Sequence, residues 1–295
     1  MLEVKFNPTR VCGARLLFTL TKEGRRAVCT PNALKAQALL LVLFCSFFFP
    51  TSAHAQTLRI AAAADLQFVL PDLASQYEKQ TGAKVVITYG SSGNFFAQVQ
   101  NGAPFDLFLS ADLDYPKKLT QAGLAESDSL QIYAAGRLAL WLPPNSPLDP
   151  NGGLKTLLDP RIQKIAIANP EHAPYGRAAL AALQSVGLFD QVKSKLVLGE
   201  NISQAAQFVQ SGSAQAGLIA LSLVLSPAMK NGKRWEIPLD SYPSMEQAVV
   251  ILKSSPNKQA ALSFLAFLKS PQSRATFDRY GYAAPSSFTA AGQKP

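Results

Sequence analysis

Four short stretches of the chain carry residue types suited to holding an anion. Tyr89-Gly90-Ser91-Ser92-Gly93-Asn94 is made of turn formers and of hydroxyl and amide carriers. The β-branched residues 84–88 before it read as a strand, and residues 95–102 after it read as a short helix closed by a glycine. A strand, a Ser/Gly-rich turn and a helix start direct unpaired backbone N–H groups and hydroxyls at one spot, where an anion can sit. Asp65, Pro174-Tyr175 and Asn201-Ile202 stand at three more strand-to-helix joints. Asp65 and Asn201 are good N-caps, and Pro174 suits a helix entry. Helix caps occur in every α/β protein, so each joint alone says little; their weight comes from falling two in each half at equivalent places. No lysine stands inside these joints and the only arginine nearby is Arg177. An anion would therefore be held by amide hydrogens, hydroxyls and helix dipoles, each hydrogen bond to a full charge contributing roughly 1.5–3 kcal/mol.

Other chemistries are poorly supplied. Gly90-Ser91-Ser92-Gly93-Asn94 resembles a nucleophile elbow but has Asn94 where Gly-x-Ser-x-Gly needs its last glycine. His172 is the only histidine after residue 55; it could act as a base on Ser91 or Ser92 in a secreted serine hydrolase, although a loop histidine capping its own turn is the plainer reading. One histidine and scattered carboxylates make no metal cluster. Asp106, Asp112 and Asp114 surround a strand end and read as caps rather than as an acid/base pair.

The first 55 residues read as a leader. Residues 36–49 are an apolar run after Lys35, and Ala53-His54-Ala55 has the small-x-small form of a cleavage site, so a signal peptide cut after Ala55 is expected. An apolar core of about 14 residues is short of the roughly 20 that span a membrane. The part before Lys35 is long for a leader, and Val28 is an alternative start that would give an ordinary signal peptide. All three cysteines (Cys12, Cys29, Cys45) lie in this segment. The remaining 240 residues therefore have no disulfide, thiolate metal site or cysteine nucleophile. The leader also holds 7 of the 28 Lys/Arg and 2 of the 19 Asp/Glu, which brings the net charge from +9 to about +4. With no basic run longer than two residues, a nucleic-acid partner is not expected.

Strands and helices alternate from Thr57 onward, which predicts an α/β fold with open, mostly parallel sheets and ligands at the carboxyl ends of the strands. A helix is expected from Asp65 to Gln80, with Leu66, Val69, Leu70, Leu73 and Tyr77 on one face. The β-type run 132–142 and the run 245–252 read as two crossovers between lobes. The division is 56–135 with 246–286 as one lobe, 136–245 as the other, and 287–295 as a tail.

Taken together, Ala61-Ala62-Ala63-Ala64-Asp65-Leu66, Gly90-Ser91-Ser92-Gly93, residues 102–112, Asn169-Pro170-Glu171-His172-Ala173-Pro174-Tyr175-Gly176, Gly199-Glu200-Asn201-Ile202 and Arg279-Tyr280-Gly281-Tyr282 give the chain a likeness. It resembles the periplasmic molybdate-binding proteins of ABC transporters, over residues 58–284. The resemblance implies a two-lobed type II binding fold with two hinge crossovers. It implies a non-enzymatic, monomeric receptor without a cofactor, taking molybdate or tungstate to an inner-membrane permease. The runner-up ligand is another oxyanion, such as phosphate or sulfate. By position, the implied contacts are Ala64, Asp65, Ser91, Ser92 and the backbones of Tyr175 and Ile202. Molybdenum would enter only as molybdate, its oxygens held through Ser92, Tyr175 and Ile202.

Two departures stand out. Many members have a serine or threonine where this chain has Asp65, and some use a tyrosine where it has Ala220; Tyr175 matches the subgroup with a tyrosine at the third joint. An ionised Asp65 would repel a dianion by several kcal/mol. The expectation is that its side chain turns away to cap its own helix, the alternative being that it accepts a proton carried by the ligand.

Overall fold

The computed structural model describes residues 57–285. The leader with its cleavage site, and the tail, lie outside the described residues. The first sheet takes β1 (Thr57–Ala63), β2 (Lys84–Gly90), β3 (Leu107–Ser110), β4 (Gln131–Gly136) and β10 (Met245–Ile251). The second takes β5 (Leu138–Leu142), β6 (Ile165–Ala168), β7 (Leu196–Gly199), β8 (Ala216–Ala220) and β9 (Lys233–Glu236). Strand orders are β2-β1-β3-β10-β4 and β7-β6-β8-β5-β9. In each, three adjacent strands run parallel, the fourth is antiparallel to both neighbours, and the edge strand returns to the first direction. The two reversed strands, β10 and β5, are those the chain enters directly after changing sheets. Two mixed sheets flanked by helices make a two-lobed, type II binding fold.

The helices fall where the apolar spacing puts them, with instructive exceptions at their starts. α1 (Val69–Thr81) buries Val69, Leu70, Leu73 and Tyr77, and Gly82 at φ 72° stops it. It does not reach back to Asp65. Pro71 is tolerated only in a first turn, since its ring would clash with the carbonyl of Gln67 in a continuous helix. Residues Ala64–Leu66 instead form a separate 3₁₀ turn. α2 (Ser92–Gln100) begins three residues before the apolar pattern, because Ser91 caps it by accepting from Asn94 N. α3 (Asp114–Gln121), α4 (Pro174–Ser185), α5 (Phe189–Val192), α6 (Ile202–Gln210), α7 (Leu221–Val224), α8 (Lys258–Leu268) and α9 (Pro271–Arg279) complete the set.

The run 132–142 is two strands in different sheets, with Arg137 alone between β4 and β5. Likewise residues 245–252 are not merely a crossing but an interior strand of the first sheet. The return to that sheet runs through Pro243 and Ser244, and Tyr242 just before it accepts Leu138 N at 3.2 Å, tying the two crossings together. β9 is a short, exposed edge strand of charged residues around a partly buried Trp235, with no apolar alternation to announce it.

Each lobe has its own core. Tyr77, Phe264, Phe267 and Phe277 anchor one side of the first sheet, Tyr77 and Phe264 meeting edge to face at 5.0 Å. Phe95, Phe108 and Leu119 fill the other side beneath α2 and α3. The core of the second lobe extends across to Ala63, Ala64 and Ala111, so the lobes are in apolar contact at the strand ends.

Candidate functional site

Four helix starts open on one small, narrow pocket between the two sheets. The first lobe contributes the 3₁₀ turn after β1 and the start of α2, brought side by side by the parallel pairing of Ala63 with Gly90. The second contributes the starts of α4 and α6, brought together by the pairing of Ala168 with Gly199. All six residues singled out from the sequence (Ala64, Asp65, Ser91, Ser92, Tyr175 and Ile202) line it. Ala111 also lines it and was not foreseen, since nothing about an alanine after a strand signals a contact.

Local chemistry leaves donors to spare. The first-turn N–H groups of α2, α4 and α6 have no partner inside their helices. The Asn201 side chain satisfies Gln204 N at 3.0 Å, two positions beyond Ile202 at the cavity. Ala173 and Ala63 offer no side-chain cap at all. Ser92 Oγ accepts Ala111 N at 3.0 Å, which leaves its own proton available for donation. Among the lining residues none is a lysine or arginine. Arg177, three residues into α4 and outside the cavity wall, is engaged with Asp112 at 2.5 Å and lies over the Tyr115 ring.

The lobes are held closed by direct contacts over the cavity. Gly93 N donates to His172 O at 2.8 Å, and the Asn94 amide donates to Glu200. Ser203 Oγ donates to Gln67 Oε1 at 2.7 Å and lies 3.0 Å from Ala64 O, while Ser222 Oγ donates to Asp65 O at 2.9 Å. His172 does not cap its own turn with its ring, as the sequence suggested. Its Nδ1 lies 3.0 Å from Ser91 Oγ across the cleft, and its Nε2 is 3.8 Å from Glu200. This serine–histidine pair spans the two lobes, and Ser91 is buried there.

Asp65 overturns the capping expectation. Its carboxyl is wholly buried and, although it stays beside its own backbone N–H, takes its side-chain partners from distant elements. Oδ2 accepts from Gln247 Nε2 at 2.7 Å, from Tyr282 OH at 2.9 Å and from Tyr175 OH at 3.2 Å. Gln247 is oriented in turn by Tyr133, whose hydroxyl donates to its Oε1 at 2.9 Å. Oδ1 has no protein partner. Burial pushes the Asp65 carboxyl above its ordinary range despite three donors on one oxygen, and pushes the Tyr175 and Tyr282 hydroxyls up as well. Gln247 and Tyr282 lie far along the chain from Asp65; sequence reasoning missed both as site residues, because buried polar partners have no spacing signature. Asp106 is structural. It accepts Arg59 N at 2.7 Å and Ser255 Oγ at 2.6 Å, tying β3 to β1 and to the entry of α8.

Comparison with known proteins agrees with this architecture. Residues 58–283 match the family described as bacterial extracellular solute-binding proteins. The molybdate-binding protein ModA of Azotobacter vinelandii is 40% identical over 232 residues, which are 78% of this chain and 91% of that protein. ModA of Rhodobacter capsulatus is 35% identical over 254 residues, 85% and 97% of the two chains. The solved structure of the Azotobacter vinelandii periplasmic molybdate-binding protein superposes with a TM-score of 0.74 at 38% identity, covering 78% of this chain and all of that one.

Proposed function

The chain belongs to the bacterial extracellular solute-binding proteins, and from that premise we propose that it captures molybdate in the periplasm and delivers it to an ABC importer. The observation that carries this reading is the cavity between the lobes, walled by four helix starts and by no cationic side chain. The Azotobacter vinelandii and Rhodobacter capsulatus relatives, each matching more than three quarters of the chain, are named for molybdate binding. A tetrahedral dianion suits the arrangement: its oxygens are met by the backbone N–H groups of Ala64, Asp65, Ser92, Tyr175 and Ile202 and by the hydroxyl of Ser92, with Ser91 shaping the turn. These groups touch oxygen only, so no residue is a ligand to molybdenum itself. Tungstate, of the same shape and charge, is accepted as well.

The protein acts as a monomeric carrier and not as an enzyme. The relatives reported above, named as binding proteins, support this. The lobe division proposed from the sequence, 56–135 with 246–286 against 136–245, is supported by the change of sheet at Arg137 and the return before Met245.

Calorimetry and thermal melting of residues 56–295 with molybdate, tungstate, sulfate and phosphate test this reading. Molybdate and tungstate are expected to bind most tightly, and an anion at 1,000 times its Kd should add about 4 kcal/mol of stability. Equal or stronger binding of phosphate would reject the assignment.

A further inference from the structure

Asp65 is the one acidic group in the wall of the cavity, and its surroundings decide in which form it meets an anion. Groups from four elements face it. Gln247 comes from β10, Tyr175 from α4, Tyr282 from the segment after α9, and Ser222 of α7 bonds its backbone oxygen. Tyr133 of β4 stands behind Gln247. None of these is a cation, and Arg177, on α4 outside the cavity wall, is matched by Asp112. An ionised Asp65 would bring a third negative charge to a dianion in a narrow site that has no cationic side chain in its wall. That arrangement costs several kcal/mol at short range even at an effective dielectric of about 20.

The hydrogen bonds also indicate where a proton would sit. Gln247 Nε2 donates to Oδ2 and to the Tyr175 hydroxyl oxygen, at 2.7 and 3.2 Å. The Tyr175 proton is thereby directed to Oδ2, so that oxygen has both lone pairs occupied before Tyr282 is counted. Oδ1, buried and without a protein partner, is the oxygen left for a proton.

We propose that Asp65 is a neutral carboxylic acid in the loaded protein, protonated on Oδ1, and that it determines specificity by adding a donor rather than a charge to the cavity wall. This rests on the oxyanion reading above. A wall of donors only favours a fully deprotonated tetrahedral anion. A hydrogen phosphate would bring a hydroxyl that finds no acceptor there and would lose a hydrogen bond in a buried site.

Isotope-edited infrared spectroscopy tests this on the wild-type protein carrying ¹³C-carboxyl aspartate, saturated with sodium molybdate at pH 8. A protonated-carboxyl C=O band that moves with the label is expected, and its absence overturns the proposal. In Asp65→Asn the band should be lost; a band of undiminished intensity would assign the proton to another aspartate and also overturn it. The measurement uses whichever oxyanion of the panel saturates the protein, so a failure of molybdate to bind bears on the functional assignment alone. The labelled wild-type experiment stands even if the variant does not fold.

Discussion

Ser92 does two things with one oxygen. It accepts Ala111 N, fixing the end of β3 against the start of α2, and on the proposed reading its own proton is donated to the anion. Ser92→Ala removes a donor to a charged group and strands a buried N–H. A loss of roughly 10- to 100-fold in molybdate affinity, with about 1–3 kcal/mol of stability, is the expected result by calorimetry and melting. Asp65 makes a different prediction, about pH. Its carboxyl is raised in the folded state, so the folded protein binds more protons than the unfolded chain between the ordinary carboxylate range and the folded value. Stability is therefore complete below that window and falls as pH rises through it, by up to about 1.4 kcal/mol per unit. The ligand-free melting temperature should decline with pH more steeply in the wild type than in Asp65→Asn. Parallel curves would show that the group does not titrate differently on folding.

Among the elements, α2 carries the sharpest test of closure. A Cβ at Gly93 would lie 2.7 Å from the backbone oxygen of His172, which belongs to the opposite lobe. The nearer atom, the Tyr115 hydroxyl at 2.6 Å, ends a side chain that can swing aside, whereas the carbonyl cannot. Gly93→Ala should thus leave each lobe folded while obstructing their approach. Circular dichroism and the ligand-free melt should change little, while molybdate affinity falls by tenfold or more. Most strands, the α1 face and the starts of α4 and α6 were legible in the sequence because apolar spacing, caps and stopping glycines are local properties. The start of α1 was not, since one proline in the first turn overrode a continuous apolar stripe. The role of Asp65 was not legible either. A good N-cap residue type suggested local capping, but three donors distant in sequence and adjacent in space won the side chain.

For the whole molecule, the cavity has walls from both lobes, so on the proposed reading an anion is enclosed only where the lobes meet. The bridges over its mouth are of unequal kind. Gly93 to His172 and Ser222 to Asp65 involve backbone atoms set by the folds of the lobes, whereas Asn94 to Glu200 joins exposed side chains. Such exposed pairs contribute at most about 1 kcal/mol, and a latch made only in the closed form acts on escape rather than on encounter. Asn94→Ala should consequently speed molybdate release up to about fivefold in stopped-flow chase experiments, with the association rate unchanged. A slower association at constant release would mean that Asn94 helps the anion enter the open cleft, and that closure is governed by the backbone contacts alone.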